Sequence, residues 1–345
     1  MKILIIKRDK IGDMLLTTPM LQHLRGKMPG VAIHVLANDY NAWVVLGNPN
    51  IDRLWVYPRA KTGRKVSVLA GIKQVWQEVQ LRRERFDVAI IAGGEESPRA
   101  IRRALRLRAL RTIAYCASPE CKQSLTDAVV PQNRLHEVDR MLGLLAPLGI
   151  VAPAREIHPQ YILPDTWLGV ASAWLGEKKL IRGGYVIIGL GARRAKKQPS
   201  TEQVLRWAHY FKQKYNLDSV LMWTPGKSDN PLYPGDDEIA QPVLDACVPY
   251  IHPFRGALMP ALGLIWQART SIFPDSGLMH FAAASPGGVL GLFAETDVSP
   301  SPLQWGPRGP RAVYLEALKS VTQLSDEQVY EKLQARLGSG SCLLV

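Results

Sequence analysis

Residues 1–28 read MKILIIKRDKIGDMLLTTPMLQHLRGKM, and this stretch decides the fold. Lys2–Ile6 is a short apolar, β-branched run, which suits a buried strand. A charged turn with Gly12 follows, and Pro19–Met28 carries a helical pattern opened by Thr18 as N-cap and Pro19 as first helical residue. A buried strand passing through a polar turn into a helix is the first step of a β-α-β unit, so a parallel sheet covered by helices is expected.

The pattern continues outward. Further strands are expected at Ala32–Leu36, Arg53–Tyr57, Asp87–Ile91, Arg111–Tyr115 and Asp127–Val130, with helices at Val66–Arg85, Pro98–Arg108 and His136–Leu148. The proline-punctuated stretch Ile150–Leu163 reads as a linker. Beyond it, strands are expected at Tyr185–Gly189, Ser219–Trp223, Tyr250–His252, Ser271–Pro274, Gly288–Phe293 and Ala312–Leu315. Helices fit Thr201–Tyr215, Asp237–Ala246, Leu258–Ala268, Leu278–Ala284 and Ser325–Leu337. With 345 residues, the chain is too long for one ordinary core, because single cores stop growing near ~250–300 residues. The fold class is therefore α/β, with two doubly wound parallel-sheet domains at 1–155 and 156–324 and a C-terminal helix and tail at 325–345. Two such sheets facing one another place their strand carboxyl ends at a shared cleft, where chemistry is expected.

Composition narrows the setting. The first apolar run is too short for a secretory leader, and no window approaches the ~18–20 apolar residues that cross a bilayer, so a cytoplasmic location is expected. The four cysteines, Cys116, Cys121, Cys247 and Cys342, lack C-x-x-C or metal-ligand spacing and read as reduced structural thiols, with no metal site. Of the net charge of +13, residues 1–150 carry +11 and residues 151–345 carry +2. The first half therefore suits an anionic partner: nucleic acid, an acidic membrane face or a phosphorylated glycolipid.

Four motifs follow strands. After the first, Asp13 stands in Ile11-Gly12-Asp13-Met14-Leu15-Leu16-Thr17-Thr18-Pro19 ahead of the helix, where a carboxylate can take a proton from an attacking hydroxyl, or simply cap the helix. Asp275-Ser276-Gly277 open a helix whose free N–H groups suit a pyrophosphate, and His280, one turn on, faces those phosphates or serves as a buried structural histidine. Gly189-Leu190-Gly191 followed by Arg193, Arg194, Lys196 and Lys197 suits a leaving diphosphate, or forms an exposed basic loop. Leu292-Phe293-Ala294-Glu295-Thr296-Asp297, with Trp305-Gly306-Pro307 beyond it, ends at the same sheet edge. For the partner of the basic half, Arg99, Arg102, Arg103 and Arg106 recur at helical steps along one face, near Lys61, Arg64 and Lys65. Such a face binds phosphates or is merely solvated. The Gly93-Gly94-Glu95-Glu96 turn offers two further carboxylates.

Taken in order, the Asp13 segment, His136-Glu137-Val138-Asp139-Arg140, Lys196-x-x-Pro199, Asp275-Ser276-Gly277-x-x-His280 and Leu292-Phe293-x-x-Thr296-Asp297 resemble the signatures of the ADP-heptose:lipopolysaccharide heptosyltransferases, family 9 of the glycosyltransferases. The resemblance implies a GT-B architecture, with the acceptor on the first Rossmann-like domain, the nucleotide-sugar on the second and the last helix returning to the first. It implies that Asp13 is the general base and that Lys196, Asp229, Asp275, Ser276, Gly277, His280 and Thr296 bind the donor. Arg64, Arg99, Arg102 and Arg103 are then the acceptor candidates. The implied reaction is inverting transfer of a heptose from ADP-heptose to an inner-core acceptor, with no cofactor beyond the donor. The implied partners are an anionic glycolipid and, peripherally, the cytoplasmic surface of the inner membrane. Departures from the family pattern cluster around the donor: Gln198 stands where an aromatic residue is common, and Leu190-Gly191-Ala192 replaces a Pro-Gly-Ala turn.

No D-x-D pair is present, so positive charge for the leaving group is expected from lysine and a helix start rather than a metal. A nicotinamide oxidoreductase fits poorly, because Gly189-x-Gly191 lacks its third glycine. A nucleic-acid-binding module has only the charge in its favour, so no nucleic acid is expected. The alternative within the same class is transfer of another nucleotide sugar to a capsule or O-chain acceptor.

Overall fold

The computed structural model describes residues 1–59, 68–192, 194–230, 235–297 and 301–338, and of 68–73 the backbone only. The chain divides into two compact units, Met1–Ile162 and Leu163–Val345.

Unit 1 runs β1 (Lys2–Ile6), α1 (Ile11–Leu15), α2 (Thr18–Lys27), β2 (Ala32–Asn38), β3 (Arg53–Tyr57), α3 (Val68–Arg83), β4 (Val88–Ile91), α4 (Pro98–Arg106), β5 (Arg111–Tyr115), α5 (Pro119–Ser124), β6 (Asp127–Val129) and α6 (Glu137–Gly143). Its six strands are all parallel, in the order β3-β2-β1-β4-β5-β6. Strands covered on both faces must be apolar throughout rather than alternating, and Ile3 to Ile6 and Val88 to Ile91 are all buried. One sheet face packs against Leu81, Phe86, Ala100, Ile101, Ala104 and Leu107.

Unit 2 opens with α7 (Asp165–Glu177) and continues β7 (Tyr185–Gly189), α8 (Thr201–Tyr215), β8 (Asp218–Met222), α9 (Asp237–Asp245), β9 (Ile251–Phe254), α10 (Leu258–Gln267), β10 (Thr270–Pro274), α11 (Gly277–Ala284), β11 (Val289–Ala294), α12 (Pro302–Trp305), β12 (Ala312–Ala317) and α13 (Asp326–Leu337). Its parallel sheet has the order β12-β11-β10-β7-β8-β9. Read from β9, this repeats the topology of unit 1, so each unit is a complete doubly wound Rossmann-like sheet.

Several local expectations change. Thr18 lies inside α2 with its Oγ1 donating to the Leu15 carbonyl at 2.8 Å, and Thr17 takes the N-cap position without a side-chain cap bond. Helix α7 was not anticipated; it lies against α10, where a Cβ on Gly263 would come within 2.5 Å of the Trp167 carbonyl oxygen. Cys116 and Cys121, expected as free thiols, are joined as a disulfide. Ser118 caps α5 between them and turns the chain back, leaving their Cα atoms 5.8 Å apart. The last helix, expected to return to the first domain, is built into unit 2: Val329, Leu333 and Leu337 of α13 complete the core around Trp207 and Phe211. Asp326 accepts from Trp207 Nε1 at 2.8 Å, and Tyr330 stacks on Tyr210 with ring centroids 3.6 Å apart.

Candidate functional site

In unit 1 the strand order reverses between β1 and β4, and ligands of such sheets collect beyond the carboxyl ends of the strands at that point. The two segments that leave there are the Asp13 segment and the Gly93–Ser97 turn. Buried Asn38 and Asn41, at the end of β2, hold the first: Asn38 Nδ2 donates to the Arg8 carbonyl at 2.7 Å and Asn41 Nδ2 to the Asp9 carbonyl at 3.0 Å. Lys7 is buried and pairs with Asp9 at 3.0 Å. Asp13 lies within the one-turn helix α1 rather than ahead of α2, and its Oδ2 accepts the Lys10 N–H at 3.1 Å. It therefore does cap, while remaining only half-buried at the strand's carboxyl end.

The His136–Arg140 segment supports the second turn. Glu137 and Arg140 are both buried; Gly94 N–H donates to Glu137 Oε1 at 3.0 Å and Arg140 Nη1 reaches the Gly94 carbonyl at 3.5 Å. A side chain on Gly94 would strike both partners, with Arg140 Cδ only 2.8 Å from the added Cβ. Glu96 turns away to accept from Ala117 N–H at 2.8 Å, Ser118 N–H at 2.9 Å and the Ser118 hydroxyl at 2.8 Å. These bonds hold its carboxyl below the usual range and tie the loop after β5. Glu95 stays exposed, 4.0 Å from Arg140.

The expected single arginine face is divided. Arg99 and Arg102 open onto a cavity of about 460 Å³ that Arg8, Asp9, Glu96, Ser97 and Pro98 also line. Arg103 instead sits over the Tyr57 ring, its guanidinium carbon 3.8 Å from the ring centroid. Arg106 approaches Glu78 at 4.0 Å. A helix turns 100° per residue, so steps of three and four spread the row across enough surface for its members to meet different neighbours. Arg8 was not singled out from the sequence; its buried Nε has no hydrogen-bond partner among the described residues, and it faces the cavity shared with Arg99 and Arg102. Lys61, Arg64 and Lys65 lie outside the described residues.

In unit 2 the order reverses between β7 and β10. The loops there are Gly189–Pro199 and the Asp275-Ser276-Gly277 turn that starts α11. They are joined by an ion pair: buried Lys197 donates to Asp275 Oδ2. Its neighbour Lys196 points outward and pairs with Glu295 Oε1 at 2.8 Å, which holds the Glu295 carboxyl below its usual range. Glu295 reaches that position from a left-handed backbone, φ +53°. Thr296 Oγ1 donates to Glu316, and His280 is buried in α11.

Asp229 is exposed on the loop after β8, whose other aspartates are engaged. Asp236 is buried, which raises its carboxyl; it accepts from Thr224 N–H at 2.8 Å and Gln198 Nε2 at 2.5 Å. Asp237 accepts from Trp223 Nε1 at 2.8 Å and Gly226 N–H at 2.9 Å, which lowers it. Gln198 thus links the loops after β7 and β8. The sequence marks Lys197 and Glu295 only as members of their loops and does not mark Asp236, because nothing local distinguishes their roles from those of ordinary loop charges.

The sequence profile of glycosyltransferase family 9 (heptosyltransferase) matches residues 78–333, well over half of the chain. The chain belongs to this family. It is therefore a glycosyltransferase related to the heptosyltransferases. The lipopolysaccharide heptosyltransferase 3 of Escherichia coli is 26% identical over 301 residues, which cover 83% of this chain and 81% of that protein. Among solved structures, a family 9 glycosyltransferase from Veillonella parvula superimposes with a TM-score of 0.79 at 21% identity, covering 97% of each chain. The E. coli ADP-heptose lipopolysaccharide heptosyltransferase II gives 0.74 at 19% identity, covering 98% of each chain. These structures share the GT-B fold of the family 9 chain.

Proposed function

We propose that the chain transfers a heptose from ADP-heptose to an acceptor of the lipopolysaccharide inner core, at the cytoplasmic surface of the inner membrane. The observation that carries this reading is the basic loop after β7 at the switch point of unit 2, where Lys197 pairs with Asp275 of the Asp275-Ser276-Gly277 turn and Lys196 with Glu295 after β11, in a chain of family 9. The relatives supply the sugar: one is named for lipopolysaccharide and another for ADP-heptose.

In this reading Asp13 takes the proton of an acceptor hydroxyl as its oxygen forms a bond to the anomeric carbon. The bond from that carbon to the diphosphate breaks on the opposite face, the electron pair leaves with ADP, and the configuration inverts. Lys196 and the first N–H groups of α11 stabilise the charge that develops on ADP, without a metal ion. Lys196 is suited to this because its partner, Glu295, is a carboxylate that a diphosphate can replace oxygen for oxygen. Asp275, held by Lys197, lies beside the transferred sugar; Ser276, Gly277, His280, Thr296 and Asp229 complete the donor side. On the acceptor side, Arg8, Arg99 and Arg102 form a cavity suited to a phosphate of the glycolipid.

Asp13→Ala is expected to lower turnover by ~10²–10⁴-fold, the usual share of a general base, while calorimetric affinity for ADP is kept. Near-normal turnover in that variant overturns the assignment. A calorimetric screen of ADP-, UDP- and GDP-sugars tests the donor; preference for a UDP- or GDP-sugar replaces heptose transfer with transfer of another sugar to a capsule or O-chain acceptor.

A further inference from the structure

We propose that the outer face of α3 in unit 1 docks the protein onto an anionic lipid bilayer. Val75, Trp76 and Val79 fall within about one turn and are 65%, 62% and 37% exposed. At 3.6 residues per turn they share a side of the helix with Arg82 and Arg83, both exposed. The opposite side is the one that packs: Leu81 enters the core, and Gln77 Nε2 donates to the Val56 carbonyl at 2.7 Å. The face left outward thus holds large apolar groups beside guanidinium groups. A single exposed apolar side chain is ordinary, but three on one turn, edged by arginine, is the pattern of a helix lying in a membrane interface.

The surroundings extend this surface. Arg82 Nε donates to the Arg106 carbonyl at 2.7 Å, which sets the end of α4 beside the end of α3 and adds exposed Arg106 and Leu105. Residues 1–150 carry +11, so a second copy of this chain brings the same positive field and is repelled, whereas acidic headgroups are drawn in. The indole of Trp76 is the side chain that settles at headgroup depth, with the arginines beside it meeting lipid phosphates.

This inference deepens the reading of a membrane-held acceptor, yet its test needs no sugar chemistry. The purified full chain is floated with vesicles of phosphatidylcholine alone and of phosphatidylcholine mixed with phosphatidylglycerol. Binding to the mixed vesicles that weakens with added salt is expected, and Trp76→Ser and Arg83→Glu should each lower partitioning by at least about fivefold. Leu318→Ser, which removes a 91% exposed apolar side chain from unit 2, is expected to bind as the wild type does. Circular-dichroism melts report whether each variant is folded. The proposal is overturned if the wild type ignores the acidic vesicles, or if folded Trp76→Ser and Arg83→Glu partition unchanged. A lipid-free dimer that Trp76→Ser dissolves assigns the face to a second copy and overturns it equally. Transfer to a water-soluble acceptor fragment is expected to survive in Trp76→Ser; loss of that activity in the wild type as well counts against the transferase reading, not against the lipid face.

Discussion

Lys196 and Lys197 are chemically identical neighbours with opposite surroundings. Lys197 is buried against Asp275, and removing one member of a buried pair leaves the other uncompensated. Lys197→Met should therefore lower stability by about 3–5 kcal/mol, measured by urea unfolding. Lys196 is mostly exposed, so Lys196→Met should leave the unfolding midpoint almost unmoved while weakening ADP binding roughly tenfold, the usual worth of a hydrogen bond to a charged group. Equal unfolding midpoints for the two variants would contradict the assignment of roles. Composition and motif spacing point to this loop but not to which lysine turns inward. That depends on where the turn after β10 passes, a contact across 78 residues of sequence. The arginine row of α4 shows the same limit: its spacing is visible in the sequence, but the position of Tyr57, which takes Arg103 away, is not.

At the scale of elements, most strands are legible because parallel strands buried on both faces must be continuously apolar, and that signal survives without knowledge of neighbours. Helix α7 is illegible for the converse reason. Gly169 and Gly176 weaken its intrinsic preference, only Ala171 and Leu175 are buried, and the helix is held chiefly by its approach to α10 at Gly263. Gly263→Val should wedge the two helices apart and cost about 1–3 kcal/mol in thermal unfolding, the usual cost of overpacking. A variant as stable as the wild type would mean that the approach is loose. The family signature His136–Arg140 is also clearer at this scale. The sequence marks it only as part of the family resemblance; its buried Glu137 and Arg140 act through the backbone of Gly94, shaping the turn that leads to Arg99 and Arg102.

For the whole molecule, the acid response follows from ion pairs in the sheet of unit 1. Lys2 and Arg53 hold Glu84, and Arg111 holds Asp127, each below its usual carboxylate range. A carboxylate whose pKa falls on folding stabilises the native state above its unfolded pKa, and that contribution disappears as pH drops through the lowered value. Melting temperature should therefore decline below about pH 4. Asp127→Asn should be less stable than the wild type by about 0.5–1 kcal/mol at neutral pH, the scale of a partly exposed pair, and equal to it in strong acid. A gap between the two that persists unchanged to the lowest pH would exclude this origin. The two-unit plan itself was visible from length and from the resumption of β-α alternation. The home of α13 was not, because its amphipathic stripe of Val329, Leu333 and Leu337 names no partner. Each unit closes its own hydrogen-bond ladders and its own core on one side of a single crossing of the chain near Ile162. A recombinant that joins the first half of this chain to the second half of a family relative at that point severs no strand pairing. In the proposed reading, which sets the donor on unit 2, donor preference then travels with the second half like an exchangeable cassette, and the first half needs no redesign.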